Sequence, residues 1–354
     1  MKRSSASTLR KWTTDDARND KSAPLLESAP PGRSPAYWLE DLQAHRRNRL
    51  LTYRCNARCV HCYSYDVPRM EELSTDQWFA ALDELRSWLG PVFLSITGGE
   101  ALLRKDALEI AGHAARLGFW VELLSNGWVM SEEKAEQLVK SGVKRVKVSL
   151  DGGGPETNDE VRGVKGFHER ASGALRMLAE HNAKNGHVLQ IYAKTAIMAL
   201  NVDDLEGVVR FSKDHGLYGV EFQAIEPVYY SSQQGDPEWF VNNPLWIGEF
   251  EKVHRRIEEL KRLKAEGYPI INTLENLTMM QEYFRDPAAE AHRVHTHDYV
   301  RRNRACRDWA AGLQIDPAGN LRMCHWMEPF GNTKDRGIAR QWQHRRACSR
   351  CGRP

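Results

Sequence analysis

Arg49-Leu-Leu-Thr-Tyr-Arg-Cys55-Asn-Ala-Arg-Cys59-Val-His-Cys62 is the stretch on which the fold turns. A short apolar run, Arg49 to Tyr53, reads as a strand, and three cysteines in C-x3-C-x2-C spacing follow it at once. Three thiols therefore share one loop at the carboxyl end of a strand. The count matters chemically. A structural zinc site closes with four ligands, whereas an iron–sulfur cubane held by three cysteines leaves one iron open to another ligand. A zinc site completed by His61 or by a distant ligand is the alternative at this point.

The rest of the chain narrows the setting. Its 354 residues allow one large domain with an appendage or two modest ones. Fifty Lys and Arg against 47 Asp and Glu leave a net charge of +3, which supplies no long-range field for a nucleic-acid polyanion. No run approaches the roughly 18 apolar residues that span a bilayer, so no membrane partner is expected. The amino end, MKRSSASTLRKW, lacks the apolar stretch of a secretory signal, and a cytoplasmic location is expected. In a reducing compartment seven cysteines gathered in two groups point to metal ligation rather than to disulfides.

Working outward from Cys55, short apolar runs alternate with amphipathic stretches. The runs are Arg49–Tyr53, Val92–Ile96, Trp120–Leu124, Arg145–Ser149, Leu189–Ala193 and Gly219–Gln223, with room for a helix in every gap. This is the pattern of repeated βα units around a parallel sheet, and six units suit a partial barrel. Ser74-Thr-Asp-Gln reads as a helix start, and Asn201-Val-Asp-Asp-Leu as another with acids in its first turn. The expected fold is α/β, a partial (β/α)6 TIM-like barrel with a small carboxyl-terminal extension. Residues 1–36 read as a disordered tail, 37–228 as the barrel core, 229–300 as a helical linker with a charged helix near 246–265, and 301–354 as the extension. Within the extension Leu313-Gln-Ile-Asp-Pro-Ala-Gly-Asn-Leu321 reads as a hairpin.

The cysteine triplet on the loop after the first strand of a partial barrel resembles the signature of the radical S-adenosylmethionine (SAM) enzymes. Three further strand ends match. Thr97-Gly98-Gly99-Glu100 is similar to the family's GGE element, Ser125-Asn126-Gly127 follows the third strand, and Ser149-Leu-Asp151-Gly follows the fourth. The resemblance implies a [4Fe–4S] cluster on Cys55, Cys59 and Cys62 with SAM on its open iron. It also implies that Gly98 and Gly99 let the backbone approach SAM, and that Glu100 engages the SAM amino group. Ser125, Asn126, Ser149 and Asp151 would supply polar contacts, Arg162 a cation for the carboxylate, and His61 a ring against adenine. Two positions depart from the family: His61 stands where an aromatic residue is common, and Ala101 where proline commonly follows the glutamate. Strand carboxyl ends form the functional face of a βα barrel, so these loops converge on one mouth.

The second group is Cys306, Cys324, Cys348 and Cys351. Four thiolates can fully ligate either a cluster or a zinc ion, and a hairpin with C-x2-C is also similar to a zinc ribbon. The sequence from Cys306 to Cys324 resembles the start of the auxiliary-cluster extension called SPASM, or its shortened Twitch form. Three plus four cysteines match the one-cluster Twitch arrangement and leave no thiol over, which disfavours epimerases that quench a radical with a cysteine hydrogen atom. The resemblance then implies an auxiliary [4Fe–4S] cluster that accepts an electron, and a flavodoxin- or ferredoxin-type donor for the first cluster.

The leading functional expectation is hydrogen abstraction from a small sugar- or cyclitol-like substrate by a 5′-deoxyadenosyl radical, with net oxidation. The alternatives are a peptide maturase acting on a ribosomal precursor peptide and a zinc-stabilised binding module without turnover. Glu226 and Tyr229 are further candidates at the mouth, and Trp239 and Trp246 fall on the linker that should cover it. His292, His295 and His297 read as an exposed polar segment. The basic run Arg336, Arg340, His344, Arg345, Arg346, Arg350 and Arg353 reads as a solvated helix face.

Overall fold

The strands from Phe93–Thr97 through Gly219–Ala224 place buried apolar side chains at alternate positions on one face, and in parallel register the like positions fall side by side. Leu94, Val121, Leu123, Val146, Ile191, Ala193 and Val220 are buried, and the pairs Leu94 with Val121, Leu123 with Val146, Val146 with Ile191 and Ala193 with Val220 keep them on one face. The apolar stripes of the helices join this face in one continuous core. A computed structural model describes residues 47–64, 67–227, 236, 238–287, 312–323 and 327–345.

The strands β1 (Arg47–Leu50), β2 (Phe93–Thr97), β3 (Trp120–Ser125), β4 (Arg145–Ser149), β5 (Gln190–Ile197) and β6 (Gly219–Ala224) are parallel neighbours in chain order. Between them run α1 (Thr75–Leu89), α2 (Ala107–Arg116), α3 (Glu132–Lys140), α4 (Pro155–Arg162), α5 (Phe167–Lys184) and α6 (Leu205–Asp214). The expected partial (β/α)6 barrel is thus present, and among the described residues the sheet does not close on itself. Helix α1 shows how sequence makes these units. Ser74 caps it in a reciprocal box with Gln77, Trp78, Leu82, Leu85 and Leu89 form the buried stripe, and Gly90 at φ 71° ends it.

Two boundaries differ from the sequence reading for identifiable reasons. Strand β5 runs on to Ile197 because Thr195, which interrupts the apolar run, is buried with its hydroxyl donating to the Leu150 carbonyl (2.6 Å). Helix α6 begins at Leu205 rather than at Asn201. Asn201 is buried and donates to the Asp151 and Ala196 carbonyls (2.9 and 2.7 Å), so it ties β4 to β5 instead of capping a helix.

The opposite face of the sheet lines the lumen and is charged. Glu122 lies 3.0 Å from Lys147 Nζ and 3.2 Å from Arg145 Nη1, and Lys147 also pairs with Glu221 on β6. Ser95 donates to Glu122 (3.3 Å), and the Arg145 guanidinium stands against the rings of Trp120 and Tyr192, 4.6 and 4.7 Å from their centres. Glu122 and Lys147 are each 1% exposed, so this network is interior despite its charge.

Beyond β6, Trp239 and Trp246 pack edge to face, and Trp246 continues onto Tyr283 and Phe284 of α8 (Leu274–Arg285), which lies beside α7 (Phe250–Ala265). The hairpin expected over 313–321 forms β7 (Leu313–Ile315) and β8 (Asn320–Arg322), followed by β9 (Gly331–Asn332). Its placement was not legible beforehand. Strand β7 pairs in parallel with β1, making a seventh parallel strand of the same sheet, and Leu73 N donates to the Pro317 carbonyl (2.7 Å). A short helix α9 (Ile338–Gln343) follows, where Trp342 meets Trp88.

Candidate functional site

The loop carrying Cys55, Cys59 and Cys62 is fastened on both sides by backbone. Toward β2, Gly99 N donates to the Thr52 carbonyl (2.7 Å) and Glu100 N to that of Arg54 (2.8 Å). Toward α4, Arg58 N donates to the Arg162 carbonyl (3.0 Å) and Val60 N to that of Val161 (3.1 Å). Glycine is required at both seams. A Cβ on Gly99 would stand 2.5 Å from the carbonyl oxygens of Tyr53 and Arg54, one on Gly98 would overlap the Thr52 carbonyl, and Gly163, at φ 64°, abuts Arg58. The structure therefore gives Gly98 and Gly99 a role in seating the cysteine loop, in addition to the approach to SAM that the resemblance implies.

Each thiol has a polar neighbour. Cys55 Sγ accepts from Ala57 N (3.4 Å) and Asn126 Nδ2 (3.7 Å), Cys59 Sγ accepts from Arg162 Nη1 (3.4 Å), and Cys62 Sγ lies 3.5 Å from Ser64 Oγ. Burial pushes the Cys55 thiol up to about 11 and raises that of Cys59 too, against the lowering influence of Arg162. N–H donors and one buried cation around three thiols form an environment suited to thiolates once a soft metal displaces the protons. Among the described residues no three of His, Cys, Asp and Glu converge on a point that a single ion could occupy. Three thiols on one loop, two of them accepting from N–H donors, are a donor set that fits a three-cysteine iron–sulfur cluster.

The remaining expected site residues gather around the same loop. Glu100 is buried, with Oε1 accepting from Leu102 N (3.0 Å) and Ser125 Oγ (2.9 Å) and Oε2 from Asn126 N (2.6 Å). Three of its roughly four acceptor positions are occupied, leaving capacity for one more donor. Burial raises its carboxyl above the usual range. Asn126 donates to Asn56 Oδ1 (2.9 Å) as well as to Cys55, and so links β3 to the cluster loop. Ser149 ends β4 and is half-buried. His61 is half-buried, its Nδ1 has no partner among the described residues, and burial lowers its pKa to about 4, so the ring is neutral near pH 7.

Arg162, read from sequence as a cation for the SAM carboxylate, is 7% exposed, ion-paired with Asp151 and bonded to Cys59. Asp151 is held in turn: its Oδ1 accepts from Ala196 N (2.8 Å), its backbone N–H donates to Asn158 Oδ1 (2.8 Å), and its carbonyl accepts from Asn201. The roles of Asn158 and Asn201 had no sequence signal, because an asparagine that bonds buried backbone looks the same in sequence as one in a turn or a helix cap.

Cys306, Cys324, Cys348 and Cys351, together with Tyr229, His292, His295, His297, Arg346, Arg350 and Arg353, lie outside the described residues. Glu226 follows β6, half-buried, and its charge helps raise the pKa of Tyr283, on which burial acts most strongly. Arg345 is no freely solvated helix residue: its guanidinium stacks on Trp342 at 3.7 Å.

The architecture is that of a βα partial barrel with thiols, glycines and buried polar groups at its strand ends. The family model described as the Radical SAM superfamily matches residues 50–211. The chain is 32% identical over 222 residues to Fe-coproporphyrin III synthase of Methanosarcina barkeri, covering 62% of this chain and 52% of that protein. It thus spans about half the length of that relative. Similarity to the AdoMet-dependent heme synthase of the same organism is 28% over 305 residues, covering 83% and 80%. Among solved structures, Streptococcus suis SuiB bound to precursor peptide SuiA superposes with a TM-score of 0.64 at 13% identity, covering 87% of this chain and 67% of that one. Residues 50–211 thus match the radical SAM family model, and the fold of the chain resembles that of SuiB.

Proposed function

We propose that this protein is a radical SAM enzyme that abstracts hydrogen from a small polar, sugar- or cyclitol-like substrate bound in the lumen, with net oxidation. The observation that carries the reading is the hydrophilic lumen wall. Ser95, Glu122, Lys147, Tyr192 and Glu221 stand where βα barrels usually pack branched apolar layers. Glu122, Lys147 and Glu221 are paired with one another there, and a lumen built of such polar groups suits a polar molecule better than an apolar one.

Cys55, Cys59 and Cys62 would hold the first cluster, which supplies the electron that cleaves SAM to methionine and a 5′-deoxyadenosyl radical. Glu100 has acceptor capacity for the SAM amino group, His61 offers a neutral ring to adenine, and Ser125, Ser149 and Asn126 surround the same mouth. The protein's contribution is to hold the substrate carbon within reach of the radical and to exclude water. Cys306, Cys324, Cys348 and Cys351 would hold an auxiliary [4Fe–4S] cluster that takes the electron left on the substrate. A flavodoxin- or ferredoxin-type protein would reduce the first cluster.

A second reading, a tetrapyrrole substrate, is favoured by the similarity to the AdoMet-dependent heme synthase, which extends over most of both chains. A precursor peptide, as bound by SuiB, is the third class to separate. Reduced, anaerobically reconstituted protein is given SAM and deuterated cell extract split into small polar, tetrapyrrole and peptide fractions. Deuterium in 5′-deoxyadenosine is expected from the small polar fraction. Label from either other fraction alone overturns that assignment, and absence of 5′-deoxyadenosine from iron-loaded protein overturns the radical SAM activity. Cys348→Ala is expected to retain some SAM cleavage while losing substrate turnover.

A further inference from the structure

We propose that Arg162 is a positioning residue that holds the Cys59 sulfur and raises the reduction potential of the cluster on Cys55, Cys59 and Cys62, rather than a ligand of the SAM carboxylate. The inference rests on the radical SAM reading of this site and assigns one of its residues differently.

Arg162 is committed in three directions. Nη2 is ion-paired with Asp151, Nη1 donates to Cys59 Sγ at 3.4 Å, and its own carbonyl accepts from Arg58 N in the middle of the cysteine loop. Nε has no partner among the described residues, but moving the Nη1 and Nη2 edge away would take from Asp151, which is 1% exposed, its cation. Asp151 is itself fixed by Ala196, Asn158 and Asn201, residues from three different segments. The fork of the guanidinium suits this double duty, because one planar group can face a carboxylate and a sulfur together.

A cationic N–H aimed at a ligating sulfur stabilises the more negative state of a cluster, and hydrogen bonds to sulfur are among the established controls of cluster potential. The ion pair is neutral as a whole but turns its positive end to Cys59. That makes the reduced state easier to reach while leaving the open iron to SAM.

The test uses the full chain, reconstituted anaerobically, in wild-type, Arg162→Lys and Asp151→Asn/Arg162→Met forms. The double variant removes both charges so that no carboxylate is stranded. Iron and sulfide content, the midpoint potential of the SAM-free cluster whose EPR signal responds to added SAM, and the SAM Kd are measured. The double variant is expected to load iron and to show a more negative potential, by at least the ~59 mV that corresponds to a tenfold change in the reduced-to-oxidised ratio. Asp151→Asn alone controls for any contact of Asp151 with SAM, and the SAM Kd of the double variant is expected to stay within about threefold of that of Asp151→Asn, the reference for every Kd comparison here. Arg162→Lys, which keeps the charge but cannot face both partners, should fall between. Unchanged potentials in both variants overturn the proposal, and an unchanged potential with a SAM Kd raised tenfold or more assigns Arg162 to the SAM carboxylate instead. Wild-type protein that holds no SAM-responsive cluster overturns the underlying reading as well, which is a distinguishable failure.

Discussion

Charge is buried in two layers of this barrel, and the layers use it differently. Midway down the lumen, Glu122, Lys147, Glu221 and Arg145 answer one another across β3, β4 and β6, and no thiol takes part. At the mouth, Asp151 and Arg162 pair, but the guanidinium also spends a donor on Cys59, and Asn126 spends one on Cys55. The mid-lumen network maintains the shape of the wall. The mouth network is aimed at thiols, the groups proposed above to hold a cluster.

The comparison breaks most visibly at the thiols. Cys59→Ala is expected to reduce SAM cleavage to the uncatalysed background, read as 5′-deoxyadenosine formed by reduced protein, because it removes a ligand and the acceptor of the Arg162 donor. Melting of the protein without metal should change far less than activity does. Equal losses in both would mean that Cys59 is a packing residue.

Lys147→Met reverses that pattern. It takes the shared cation from Glu221 and from Glu122, which keeps Arg145, and breaking a buried pair of this kind costs about 3–5 kcal/mol. Urea denaturation should show the loss in midpoint, while Lys147→Met with Glu122→Gln should recover part of it. A variant as stable as wild type would show that the lumen network is dispensable for folding.

Gly99→Ala tests the seam between the two layers. Its Cβ would press on the Tyr53 and Arg54 carbonyls, and overpacking of this kind costs about 1–3 kcal/mol. Iron loading on reconstitution is expected to fall, because the displaced backbone leads directly into Cys55. Full loading would separate the glycine from the seating of the loop.

The smallest effect is expected at the surface. Asp203 pairs with Lys252 (2.7 Å) and Arg256 (3.2 Å), and the Lys252 hydrogen bond is the main reason its pKa lies below the ordinary value. A depressed carboxylate contributes stability above its unfolded pKa, and that contribution is lost as pH falls through the folded value. Asp203→Asn should therefore flatten the acid limb slightly, by less than about 1 kcal/mol since the side chains are exposed to solvent. Acid-titrated thermal melts would detect a larger effect if this pair resembled the buried ones.

Much of the fold could be read from periodicity. All six barrel strands lie within a few residues of the apolar runs, and Ser74 begins α1 as its neighbours foretold. The ends that moved did so where a polar residue entered the interior through one specific bond, Thr195 with Leu150 and Asn201 with Asp151. Those partners are 45 and 50 residues away in the chain. Local pattern carries no trace of them, so a buried threonine reads as a strand end and a buried asparagine as a cap.

At the site, residue types and spacing singled out the triplet Cys55, Cys59 and Cys62, because chelation imposes a short repeat on one loop. The family resemblance, rather than spacing by itself, marked Gly98, Gly99 and Glu100 at a strand end. What only the tertiary structure decided is which atoms those residues face. It turned Gly98 and Gly99 toward the Thr52–Arg54 backbone, closed Glu100 onto Leu102, Ser125 and Asn126, and gave Arg162 to Asp151 and Cys59. It also joined β7 to β1, so that the carboxyl-terminal hairpin extends the barrel sheet. The physical reason is common to all of them. Ligand spacing and strand periodicity are set by bonds and alternation over a few residues, whereas the partner of a buried charge or a strand edge is chosen by what the folded chain brings across space.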